Sequence, residues 1–136
     1  MALFDFKKRK DKYEHYVNKA FKYDKPASRD IAIAIMQEAV LKPFPIKEIA
    51  SGYFYLGILY EEQQSLEMAA AHYEKAFQLV ADEDIPYDSG FKRAIVTFIK
   101  IGDQEKAEYW LNHLLARSKH NRKFKKLEKI KTELLL

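Results

Sequence analysis

The feature that most restricts what this chain can fold into is an internal repeat. Aromatic residues stand at Tyr16, Tyr53 and Phe91, spaced by 37 and then 38 positions, and seven residues after each comes another, Tyr23, Tyr60 and Phe98. Sixteen residues after each first aromatic lies an alanine (Ala32, Ala69, Ala107). Met36, Tyr73 and Leu111 follow four further on, and Ala39, Ala76 and Leu114 three beyond those. Fifteen positions therefore hold register over three units with no gap inside any of them. Added residues fall only at the joints, around 42–48 and 82–88, where Pro43, Pro45 and Pro86 sit. A period of 20–50 residues with insertions confined to joints is the mark of stacked modules, whose loops tolerate extra length while their cores do not.

Inside each unit the apolar spacing is helical. Tyr53, Leu56, Gly57 and Tyr60 make one stripe, and Ala69, Tyr73, Ala76 and Phe77 another. Ser28, Ser65 and Asp103 stand where a second helix would start, each with an acid close behind to favour the helix dipole. Gly102 lies just past a stripe, where a helix often ends on a left-handed residue. The pattern predicts helices over 13–24, 28–42, 48–63, 66–82, 87–101 and 104–117. A seventh is expected over about 121–135, with Phe124, Leu127, Ile130 and Leu134 on one face and Arg122, Lys123, Lys125, Lys126 and Lys129 on the other.

Tyr53-x-x-Leu56-Gly57-x-x-Tyr60 followed by Ala69-x-x-x-Tyr73-x-x-Ala76 resembles the tetratricopeptide repeat, and the run 102–107 resembles its turn and second-helix start. The resemblance covers about residues 13–118. The first unit has Ala20 at the small position of the motif; the third has Ile95 there, which predicts looser packing, and Ala81 stands where the middle unit would end on proline. The implied fold is all-α: a right-handed superhelical array of three helical hairpins (about 13–46, 50–83 and 88–118). A basic N-terminal segment (1–12) precedes it, and a basic amphipathic capping helix (119–136) closes it. The alternative is a non-repetitive helical bundle.

The resemblance also implies that the concave side binds a peptide or protein. Carried over position by position, the groove residues are Glu14, Val17, Phe21, Asp24 and Lys25 from the first unit, and Ser51, Phe54, Ile58, Glu61 and Glu62 from the second. The third supplies Ser89, Lys92, Val96, Ile99 and Lys100. These positions are expected to be spared by packing within each hairpin. With Glu61 and Glu62 central and no Asn, the groove suits an apolar or amphipathic segment rather than a clamped C-terminal carboxylate. The groove could also be filled from within, by the stripe at 124–134 or by Leu3, Phe4 and Phe6, in the same chain or in a homodimer.

Charge raises a second possibility. The net charge of +4 divides into +4 over residues 1–25, −6 over 26–116 and +6 over 117–136. The basic runs at 7–10 and 122–131 could contact an anionic membrane surface or nucleic-acid phosphates. Base-reading or stacking patterns of a dedicated nucleic-acid module are absent.

Catalysis finds the least support. Cysteine is missing, so thiolate chemistry and disulfides are excluded, and His-Glu-x-x-His and phosphate-cradling glycine loops are also missing. His113 and His120 could share a face, but neither has an obvious partner. Ser51, Ser65, Ser89 and Ser118 lack a nucleophile context. No metal or cofactor is expected. The expectation is a non-enzymatic cytoplasmic interaction module with an unidentified protein partner.

Overall fold

The structure is a computed structural model that describes residues 12–134, and every described regular element is helical. The N-terminal leucine, phenylalanines and basic run at 3–10 lie outside the described residues. The chain forms two compact units, divided between Leu79 and Val80, inside the second expected repeat and just short of its joint with the third.

The first unit holds α1 (Tyr13–Tyr23), α2 (Arg29–Ala39), α3 (Ile46–Glu62) and α4 (Leu66–Leu79), each packed against the next. Links of three to six residues force consecutive helices into antiparallel neighbours. Their ends follow from local chemistry. Pro26 disfavours helical geometry in the residue before it, so α1 stops at Tyr23. The same effect of Pro43 ends α2 at Ala39, three residues short of the sequence expectation, and Pro45 sets the entry to α3. Ser28 stands before α2 as expected, yet its hydroxyl donates back to the Tyr23 carbonyl (2.8 Å) and makes no cap to the helix.

The repeat ladder becomes the core. Ala32, Met36, Ala39, Ala69, Tyr73 and Ala76 are buried, and Ala20, Leu56 and Leu59 join them. Gly57 explains how closely α3 and α4 approach: a Cβ there would lie 2.5 Å from two ring carbons of Tyr73. Five residues earlier, a Cβ on Gly52 would lie 2.7 Å from the Val40 side chain. Five residues turn a helix by about 140°, so α3 offers a bare backbone to a neighbour on each of two sides.

The second unit holds α5 (Gly90–Lys100) and α6 (Gln104–Leu115), a 3₁₀ turn (Ala116–Lys119), a 3₁₀ helix (Arg122–Leu127) and α7 (Glu128–Leu134). Asp103 caps α6 as its sequence position predicts, accepting from the Lys106 N–H at 3.1 Å. Phe91, Phe98, Ala107, Leu111 and Leu114 from the ladder are buried, and so is Ile95, where looser packing was expected. The predicted continuous helix over 121–135 is instead a 3₁₀ helix passing into α7. Asn121 starts it by accepting from the Lys123 N–H. Burial at Phe124, Leu127 and Ile130 recurs every third residue, which matches three residues per turn better than 3.6. Phe124 meets Tyr87 and Phe91 at ring separations of 5.3 and 6.0 Å. Arg117 donates to the carbonyls of Val80, Ala81 and Glu83 at 2.7–3.0 Å and ties the opening stretch of this unit to the end of α6.

The turns after α3 and α5 are built alike. Ser65 N–H bonds to Tyr60 O and Gln64 N–H to Glu61 O; Asp103 N–H bonds to Phe98 O and Gly102 N–H to Ile99 O. Both are Schellman motifs. The left-handed residue is Gln64 (φ 63°) in one and Gly102 (φ 82°) in the other, 38 positions apart as the repeat requires.

Stability measurements on three substitutions check these assignments. Gly57→Val drives branched carbon into the Tyr73 ring and should cost about 2–3 kcal/mol in urea unfolding. Gln64→Gly should stabilise by about 0.5–1 kcal/mol, whereas Gly102→Ala should destabilise by about 1 kcal/mol. The opposite signs test the equivalence of the two turns.

Candidate partner-binding surface

In the first unit the sequence-derived groove positions separate into two groups by the residues that they contact. Phe21, Asp24 and Ser51 line the side where α1 meets α3. The Tyr13 hydroxyl donates to Ser51 Oγ (3.1 Å), and the Tyr55 hydroxyl donates to Asp24 Oδ2 (3.0 Å). The other carboxylate oxygen of Asp24 accepts from Arg29 Nε at 3.1 Å. Asp24 can serve two donors because α1 ends one residue before it, freeing its side chain from the helical surface. Phe21 lies edge-on to Tyr55 (5.2 Å between ring centres) and is 57% exposed. Glu14 is exposed, and Val17 is half-buried against the core.

Phe54 and Glu61, seven residues apart on α3, face α4. Phe54 packs 5.0 Å from Tyr73 and 6.2 Å from Phe77, and Glu61 accepts from the Tyr73 hydroxyl at 2.8 Å. The expectation that these positions are spared by packing within the hairpin is therefore corrected for Phe54 and Glu61. Tyr73 is fully buried, and its hydroxyl needs an acceptor, which Glu61 supplies. Ile58 is half-buried and Glu62 is exposed.

In the second unit Lys92, Val96, Ile99 and Lys100 share one face of α5. The two lysines are exposed and the two apolar residues half-buried. The buried residues Phe91, Ala94, Ile95 and Phe98 occupy a different face. Lys25 and Ser89 are exposed. His113 packs against Trp110 and Tyr109, while His120 is exposed beyond the 3₁₀ turn that ends α6, so the two do not share one helix.

Tyr55 and Arg29 complete the Asp24 site and were not singled out by sequence pattern. Tyr55 lies outside the repeat ladder, and Asp24 and Arg29 straddle a proline turn, so no helical spacing links them. Burial pushes the Tyr55 phenol well above its usual range. Its hydrogen bond to the Asp24 carboxylate acts in the same direction, and Arg29 opposes both. Burial and the nearby Arg117 hold the His113 imidazole below its ordinary value.

Among the described residues, no group of three or more His, Asp or Glu is placed to hold a metal ion. Among them too, no helix is long and apolar enough to cross a membrane. No protein-family model, curated protein or solved structure matches the chain.

The Tyr55 site has a pH signature. The folded state holds the phenolic proton more tightly than the unfolded chain, so this contribution to stability is intact below the ordinary phenol range near pH 10. It is lost as pH rises above that range. Between pH 8.5 and 11, wild type should lose stability faster than Tyr55→Phe in urea unfolding; parallel curves would show that Tyr55 is an ordinary surface phenol.

Proposed function

We propose that the chain is a tetratricopeptide-like array of three helical hairpins and works without catalysis, binding an apolar or amphipathic segment of another protein. The repeat reading is supported by burial of Ala32, Ala69 and Ala107 at equivalent positions and by the paired Schellman turns at Gln64 and Gly102. Stacked hairpins of this kind curve and expose a concave face.

The observation that carries the binding reading is Phe21, a large ring left more than half exposed although Tyr55 holds it in place. Asp24 and Arg29 beside it offer charges of both signs to orient an incoming segment. Ile58, half-buried and outside the ladder, would extend the apolar contact. A foreign segment is favoured over filling by the C-terminal stripe, because Phe124, Leu127 and Ile130 are already buried in the second unit.

The test compares affinity capture by wild type with Phe21→Ser plus Ile58→Ser. Phe54 is left intact because it packs within its own hairpin. Loss of two apolar anchors should weaken capture by about ten- to a hundred-fold, with helical content by circular dichroism unchanged. Full capture by the folded double variant would refute the groove. Sedimentation equilibrium over a range of concentrations decides the homodimer alternative.

A further inference from the structure

We propose that the segment from Lys119 to Leu134 is a docking surface for an anionic lipid bilayer, independent of the groove. Seven Lys and Arg residues fall in this stretch against two acids. Lys119, Arg122, Lys123, Lys125, Lys126, Lys129 and Lys131 are all exposed, and none is ion-paired with a described acid. Lys126 makes a cation–π contact with Tyr87 (5.8 Å) and keeps its charge.

The cations are held on a fixed face and not on a loose tail. Phe124, Leu127 and Ile130 are buried beneath them, anchoring the backbone to α5 and α6. In the 3₁₀ helix, residues three apart are eclipsed at about 6 Å rise. Arg122 and Lys125 therefore form one row and Lys123 and Lys126 a second, both pointing away from the buried row. Unneutralised charge fixed in this way attracts a polyanionic surface.

The choice of a bilayer over nucleic acid rests on the end of the segment. Leu134 is 46% exposed, and Leu135 and Leu136 follow it in sequence. On α7 Leu134 lies one turn past Lys131 as well as past buried Ile130, at the border of the basic face, so a bilayer takes both parts, headgroups against the cations and an acyl boundary for the leucine. Nucleic acid would use the cations alone. Phe124, the one Phe, Tyr or Trp between 119 and 134, is buried and unavailable for stacking on bases.

The experiment is co-sedimentation of the full chain with vesicles of phosphatidylcholine alone or with about one-third phosphatidylserine, at 50 and 200 mM KCl. The expected result is binding to the anionic vesicles only, weakened by salt. Each basic residue near such a surface contributes about a five-fold factor in partitioning, so Arg122→Gln, Lys125→Gln and Lys129→Gln together should weaken it about a hundred-fold. Leu134→Ser should weaken it about five-fold. All four residues are exposed, so the variants should keep the wild-type unfolding midpoint. The proposal is overturned by absence of anionic-vesicle binding, by binding that either variant leaves unchanged, or by tighter binding to a 20-base-pair DNA duplex at the same salt.

Discussion

The contact between Gly57 and the ring of Tyr73 is the constraint on which the first unit depends. A helix interior gives up about 1 kcal/mol in propensity by carrying glycine, and α3 carries it twice. At both positions the missing Cβ is where a neighbour sits: Tyr73 over Gly57 and Val40 over Gly52. α3 thus accepts a partner on each of two sides. Tyr73, drawn fully inside by this approach, must satisfy its hydroxyl there, which fixes Glu61. Burial of the alanines on α2 and α4 follows from the same close spacing. A small residue on one helix lets a large one on its neighbour fill the space without a cavity.

Much of this architecture could be read from the residues alone, because the ladder is periodic and periodicity survives translation into packing. Helix existence, the Asp103 cap and burial of the repeated alanines all follow from spacing and side-chain type. What escaped has a different physical origin. Gln64 adopts a left-handed backbone that nothing in a glutamine advertises; its Schellman bonds show only in space. The 3₁₀ start of the C-terminal segment shares its apolar residues with an α-helical pattern, since Phe124, Leu127 and Ile130 fit both. Gly52 looks like an ordinary interruption until Val40 is found against it. Tyr55, Asp24 and Arg29 come from three different local environments, and only tertiary structure brings them together.

The groove positions show why a family pattern places residues better than it assigns duties. Phe54 and Glu61 lie on one stripe of α3, as their spacing demands, yet they share in packing and hydrogen bonding with α4. Phe21 on α1 stands where α3 has Ile58, yet its ring lies largely in solvent while Ile58 is half-buried. Ring contacts follow the facing helix: Phe54 meets Tyr73 and Phe77, whereas Phe21 meets only the edge of Tyr55 among the described residues. Equivalent positions in a repeat therefore share backbone geometry without sharing exposure.

Arg117 has a consequence for how the second unit can be divided. One guanidinium holds carbonyls that lie 34 to 37 residues earlier in the chain, closing the stretch into a loop through side-chain chemistry alone. Beyond it, Phe124 and Ile130 complete the same interior. A boundary drawn at the last repeat-like helix would cut away both the clasp and the residues that seal it. The smallest autonomous piece of this half consequently extends well past the ladder, and its two extremities must come apart together when it opens.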